Sequence, residues 1–309
     1  MSASTLISFP ALAAYLLVIA AVLGACMGSF MNCLAWRLVA GESVLSGRSR
    51  CPSCNATLTA LDLVPIVSWM ALRGRCRHCK AKISPRYLIV EIVMAAVFVL
   101  LALRYGFTVQ ALAYAALACI LCGVALVDFD TYTIPNGFIL AGIAVWAATV
   151  WFLAPPANGF GPGSAFEAQL GSGNLAMLAD GVAGGVALGG GVLVLSLLFE
   201  WVTKRESLGG GDVKLLFVAG LFLGVPLGLF ALLLACIIGL VLAFVLRLSG
   251  GSSKSKPGAP VREGRSSGPG ESESFRTRAI PFGPAIALSI VLTLLIGPAC
   301  VTWYVGLLV

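Results

Sequence analysis

Two short stretches of this chain carry acids in settings that suit catalysis: VDFDTYTIPN, with Asp128 and Asp130, and LGGGDVKLL, with Asp212. Two carboxylates that share one proton can activate a water and protonate a leaving amine, because like charge and partial desolvation separate their affinities for protons. That is the chemistry of an aspartic peptidase. Gly209, Gly210 and Gly211 remove side chains ahead of Asp212, so backbone or substrate can come close to it. The competing reading has Asp128 and Asp212 capping helices or pairing with Lys214, Lys204 or Arg205. A serine–histidine dyad has little to draw on, since His78 is the single histidine and stands among cysteines.

The ten cysteines fall into two groups. Cys51, Cys54, Cys76 and Cys79 form a CxxC-x21-CxxC pattern in a polar stretch. Each pair can place two thiolates on one turn, and two such knuckles complete a tetrahedral four-sulfur site for zinc. Four protein thiolates leave no open position for water, so the metal is expected to be structural. Two reversible disulfides are the competing reading, which a reducing compartment disfavours. Arg73, Arg75, Arg77 and Lys80 can moderate the negative charge of the tetrathiolate, with His78 a solvated neighbour. Cys26, Cys33, Cys119, Cys122, Cys236 and Cys300 lie in apolar stretches, where a free cysteine behaves as a small hydrophobe.

Composition names the elements that must position these residues. Of 309 residues, 59% are hydrophobic and 11% charged, against about a quarter charged in a soluble domain. A helix needs roughly 20 apolar residues to cross a bilayer. Apolar runs fall at 10–34, 88–103, 109–127, 138–153, 176–200, 213–225, 227–246 and 283–307. The expected fold is an all-α polytopic membrane protein of about eight transmembrane helices, with a small cytoplasmic zinc-binding domain between the first and second. A soluble globule, collagen, a coiled coil and a disulfide-stapled secreted domain are excluded. With 35–87 in the cytoplasm, all but Arg104 of the 20 Lys and Arg residues fall on or beside that side. The positive-inside rule then sets both termini outside. The net charge of +7 is thus a topology signal and not a nucleic-acid footprint. The first run lacks a basic leader and reads as an anchor, not a cleaved signal.

Alternation also puts Asp128, ending the third helix, and Asp212, opening the sixth, at one depth on the cytoplasmic side. Pro135 lets a fresh helix start near Asn136. Glu91, Asp180 and Glu200 near span ends read as polar packing. The glycine-rich run 181–191 lies in a span and reads as close helix packing. The expected organisation is a first helix in 1–34, a cytoplasmic four-cysteine zinc domain in 35–87, a peptidase core in 88–248 with an outer loop at 154–175, a disordered cytoplasmic loop at 249–279, and a last helix in 280–309.

Taken together, these segments resemble the type IV prepilin peptidases, bifunctional leader peptidases and N-methyltransferases. The resemblance rests on GSFMNCLAWRL at 28–38, SRCPSCNATLTALDLVPIVSWMALRGRCRHCKAKISPRYLIVE at 49–91, DFDTYTIPN at 128–136, GGGDVKLL at 209–216 and IPFGPAIALS at 280–289. It implies that Asp128 and Asp212 are the catalytic pair, Asp212 being the aspartate of the GxGD motif. Asp130, Gly209, Gly211 and Lys214 are the supporting residues. It also implies prepilin or pseudopilin substrates, cleavage after Gly at the cytoplasmic face of a bacterial inner membrane, and S-adenosylmethionine as methyl donor, with no donor pocket located. The zinc plays no part in cleavage. A non-enzymatic transporter or assembly scaffold with a zinc docking domain is the alternative from a different class.

Overall fold

The computed structural model describes residues 10–44, 47–153, 166, 170, 173–204, 209–248 and 281–307. Among them the regular structure is helical, apart from two isolated β-bridges. We number the helices α1 (Pro10–Ala40), α2 (Val67–Ala71), α3 (Pro85–Tyr105), α4 (Val109–Thr131), α5 (Asn136–Thr149), α6 (Asn174–Thr203), α7 (Gly210–Leu248) and α8 (Gly283–Gly306). Six of these, α1, α3, α4, α6, α7 and α8, are long and apolar enough to cross a membrane, and α5 is a shorter apolar helix. Of the predicted loops, 249–279 lies outside the described residues, as does 154–175 apart from Phe166, Leu170 and residues 173–175.

The first helix and the helix built from the sixth and seventh runs depart most from their predicted limits. The first helix continues to Ala40 instead of stopping at 34. Nothing breaks it before Gly41, at φ +70°, and Arg37 in its last turn donates to the carbonyls of Ser43, Val44 and Gly47 at 3.2, 3.5 and 2.8 Å. The runs 213–225 and 227–246 are the two halves of α7, joined at Gly224 with φ 69° and ψ −172°. Only glycine adopts that backbone freely. Pro226 follows at the start of the second half, where its missing N–H costs nothing. Leu188 of α6 lies against Gly228, while the neighbouring Gly189 lies against Phe217. Both halves therefore lean on the same stretch of α6, and the chain doubles back at Gly224.

An interrupted helix in lipid must satisfy its freed backbone groups internally, since each one left unpaired costs several kcal/mol. The N–H of Val225 finds the Asp180 carboxylate at 3.3 Å, and Asp180 is fully buried. This acid is therefore polar packing, as expected. Pro298 inside α8 likewise deprives the Leu294 carbonyl of its helical donor. The Tyr105 hydroxyl at the end of α3 donates to that carbonyl.

Small residues set the closest helix contacts. A Cβ on Gly24 of α1 would stand 2.5 Å from the Met94 carbonyl oxygen and 2.9 Å from the Ala95 Cα of α3. Gly184 of α6 meets Gly220 of α7 backbone to backbone, so the glycine-rich run does serve helix packing. Large side chains fill the core, with Tyr114, Leu117 and Leu121 from α4, Phe222 of α7, and Ile286 and Ile290 of α8 all fully buried. The most apolar stretch of α4 is 72% buried, well above the other spans. The end of α4 accordingly emerges amid its neighbours and not at the rim.

Candidate active site and metal centre

Asp128 occupies the last turn of α4. The helix stops at Tyr132, which turns left-handed at φ 56° and returns its N–H to the Asp128 carbonyl at 2.8 Å. Thr131 reinforces the stop, donating to the Val127 carbonyl at 2.9 Å and meeting the Thr133 hydroxyl at 2.8 Å. Ile134 and Pro135 cannot continue the helix, and α5 opens at Asn136 as predicted. Asp212 stands in the first turn of α7, its N–H bonded to the Gly209 carbonyl at 2.9 Å. Gly283, the first residue of α8, donates its N–H to Asp128 Oδ2 at 3.0 Å.

Three helix ends thus converge. Asp128 is 5% exposed and Asp212 half-buried, and the turn that follows Asp128 packs against the residue before Asp212. Asp128 does cap a helix, as the competing reading had it, and the same bond fixes the direction of its carboxylate. Gly211 lies against Ile134, where a Cβ would come within 3.0 Å of the isoleucine Cβ. A Cβ on Gly209 would be 3.3 Å from Asp212 Oδ2, whereas one on Gly210 would meet nothing within 4 Å. Lys214 reaches Asn136 Oδ1 at 3.0 Å, tying the start of α7 to the start of α5.

Asp130 is held by Arg86 of α3 through two bonds of 2.8 and 2.7 Å, and Arg86 also donates to the Leu126 carbonyl at 2.8 Å. The guanidinium lies 5.8 Å from the Phe129 ring centre. Sequence reasoning did not foresee Arg86 or the N–H of Gly283. A lone arginine opening a helix carries no spacing signal toward a partner 44 residues later. A backbone donor 155 residues from its acceptor has no side chain to reveal it.

The four cysteines build two copies of one knuckle. In the first, Cys51 N–H donates to Ala56 at 3.0 Å and Asn55 N–H to Cys51 at 2.9 Å. In the second, Cys76 N–H donates to Ala81 at 2.8 Å and Lys80 N–H to Cys76 at 3.1 Å. A bridge follows the same rule in each, Arg50 with Thr57 and Arg75 with Lys82. Asn55 and Lys80 turn left-handed at the equivalent place, with φ of 55° and 59°. All four Sγ atoms lie within 4.8 Å of one another, Cys51 and Cys79 at 3.9 Å. A tetrahedral metal–thiolate with bonds of about 2.3 Å spaces its sulfurs by about 3.8 Å, so the donor set fits a metal ion. Backbone N–H groups of Ser53 and Cys54 lower the Cys51 thiol to about 6, and those of Cys79 and His78 lower Cys76. His78 is exposed, as expected of a bystander.

Two further carboxylates brace this region. Asp62 accepts from the Thr59 hydroxyl at 2.7 Å and from Arg77 Nε at 2.7 Å, contacts that hold its carboxyl at about 2. Buried Glu91 of α3 accepts the Ile66 N–H at 2.7 Å.

The fold and the site define a class: a helical membrane protein that brings two aspartates together at one end of its bundle and carries a pair of cysteine knuckles between its first two spans. Within that class the chain belongs to the type IV leader peptidase family. The model of the bacterial peptidase A24 N-terminal domain matches residues 22–105, and that of the type IV leader peptidase family matches 114–244. The chain is 32% identical over 260 residues to a prepilin leader peptidase/N-methyltransferase of Aeromonas hydrophila, covering 83% of this chain and 74% of that one. A relative of that name from Pseudomonas putida is 30% identical over 299 residues, 89% of each chain. One from Bacillus subtilis is 28% identical over 284 residues, 92% of this chain and 96% of its own. No solved structure matches the chain.

Proposed function

We propose that this peptidase removes the basic leader of type IV prepilins or pseudopilins, cutting after glycine at the cytoplasmic face of a bacterial inner membrane, and then methylates the new N-terminal residue with S-adenosylmethionine. The observation that supports the reading is the convergence of the ends of α4 and α7, which carry Asp128 and Asp212, where Ile134 packs against Gly211 and Gly283 of α8 holds Asp128.

In this mechanism one carboxylate takes a proton from water as the water oxygen attacks the scissile carbonyl. The other, protonated, passes its proton through the tetrahedral intermediate toward the leaving amine. The Gly283 N–H holds Asp128 in place, and each aspartate faces a helix N-terminus whose dipole favours the negative charge that moves within the pair. An apolar pilin helix enters between spans from the bilayer while its basic leader stays in water beside the aspartates. Asp130 supports the site through Arg86, and Lys214 through Asn136. S-adenosylmethionine supplies the methyl group for the amine that cleavage exposes.

Cys51, Cys54, Cys76 and Cys79 would hold zinc in a closed site with no position for water, so its part is to staple a domain too small for a large core. On this reading the four-cysteine zinc domain lies between α1 and α3, the peptidase core follows it as far as 248, and both termini lie outside.

Mass spectrometry of a basic-leader prepilin peptide incubated with wild type, Asp128→Asn and Asp212→Asn tests this directly. Wild type alone should cleave after glycine, and adding the donor should add the mass of one methyl group. Cleavage by both folded variants would remove the aspartates from the mechanism, and no cleavage of several such substrates by folded wild type would sink the reading.

A further inference from the structure

The stretch from Ala60 to Ala71 belongs by sequence to a polar domain, yet its side chains and its depth say otherwise. Leu61, Val67 and Met70 are 73%, 62% and 63% exposed, and Leu63 and Val64 are exposed as well. A small water-soluble domain does not ordinarily present so many large apolar side chains from one short segment.

The depth follows from three contacts. The Ile66 N–H is bonded to Glu91, which lies more than one turn further into α3 than Arg86, the partner of Asp130. A Cβ on Gly28 of α1 would stand 3.0 Å from the Glu91 Cα, while Met31, nearer the Cys-domain end of α1, places its sulfur 3.4 Å from such an atom on Gly123. Gly123 itself lies more than one turn inside α4 from Asp128. Helical side chains lean toward the N-terminus, which lifts the Glu91 carboxylate by about a turn at most. Ile66 therefore reaches the level of Asp128 or below it, into the apolar part of the bundle.

The backbone is shaped for that position. Ile66 adopts φ 63° and ψ −55°, and Val67 N–H closes a three-residue turn on the Pro65 carbonyl at 2.6 Å. A β-branched residue rarely holds this γ-turn. Irregular backbone at membrane depth must have its donors satisfied by protein, and Glu91 does so for Ile66. Beyond the segment, Leu72, Arg73, Arg75, Cys76 and Lys80 line a cleft of about 420 Å³, whose three cations suit phosphate headgroups.

We propose that residues 60–71 form an interfacial membrane segment, with Leu61, Leu63, Val64, Val67 and Met70 seated among lipid acyl chains. The metal-knuckle domain is thereby moored to the bilayer beside the aspartates and does not stand free above it. The occupant is lipid, because Ile66 is bonded to Glu91 of α3, next to Ile92 and Val93, which are 48% and 51% exposed on the bundle surface.

The test uses the wild-type chain in nanodiscs of phosphatidylethanolamine and phosphatidylglycerol, doped with a phosphatidylcholine bearing a diazirine on its acyl chain. After photolysis, mass spectrometry should find lipid adducts within 60–71 at yields comparable to those at Ile92 and Val93. Adducts at Ile92 and Val93 with none in 60–71 would overturn the proposal. So would adducts in 60–71 that vanish when a prepilin peptide is added, since the face would then belong to substrate.

Discussion

Replacing Gly283 by alanine tests whether α8 sets the position of the Asp128 carboxylate on which the proposed cleavage depends. The added Cβ would stand 2.7 Å from Asp128 Oδ2, 3.0 Å from its Cγ and 3.2 Å from its Cβ. Carbon contacts settle at about 3.5 Å or more, so the carboxylate must retreat by roughly 0.5–0.8 Å. Rotation of the side chain cannot relieve the contact at Asp128 Cβ, and at 5% exposure there is little free space to move into. The Gly283 N–H remains as a donor and alanine is a better helix former than glycine, which offsets only part of the crowding, so the variant should also lose about 1–3 kcal/mol of stability. A displacement of about 1 Å can cost on the order of 100-fold in rate. Half to three-quarters of that distance predicts a loss of about tenfold or somewhat more in kcat, about 1.4–2 kcal/mol in the barrier. KM should stay near wild type, and the rate is compared at a temperature at which both proteins remain folded in detergent. The assay is initial-rate cleavage of a prepilin peptide followed by mass spectrometry. If Gly283→Ala cleaves at the wild-type rate while Asp128→Asn is inactive, α8 does not set the position of Asp128 and the reasoning fails.

Tyr105→Phe should destabilise the protein by about 1–3 kcal/mol, because it orphans the Leu294 carbonyl in an apolar setting. Adding Pro298→Ala restores a helical donor and should recover most of that loss; strict additivity in a double-mutant cycle of unfolding would refute the coupling. Gly24→Ala drives a methyl into the α3 backbone and should cost about 1–3 kcal/mol, whereas Gly191→Ala, with nothing within 4 Å of the new atom, should cost nothing measurable by thermal unfolding. Serine at any of Cys51, Cys54, Cys76 or Cys79 should lower bound zinc and open the knuckles to protease. Unchanged zinc by elemental analysis in all four variants would reject the ligand set.

Much of this protein is legible without coordinates because its strongest constraints are local or periodic. A bilayer demands long apolar helices with internal hydrogen bonds, so the spans declare themselves, including the two halves of α7, where a glycine and a proline mark the reversal. The cysteine spacing likewise encodes a knuckle, since four sulfurs on two tight turns have few other uses. Asp128 and Asp212 stood out because charge at a membrane boundary is costly and needs a reason.

The tertiary structure alone decided how those pieces meet. It joined Gly283 to Asp128 and Arg86 to Asp130, gave Lys214 to Asn136 and not to an aspartate, and set Asp180 on the broken helix at Gly224. It also bonded Ile66 of the cysteine-rich region to Glu91 of α3. These contacts join residues far apart along the chain, through backbone groups that every residue possesses. Residue type therefore records that a polar group needs a partner, while only packing in three dimensions selects which partner it finds.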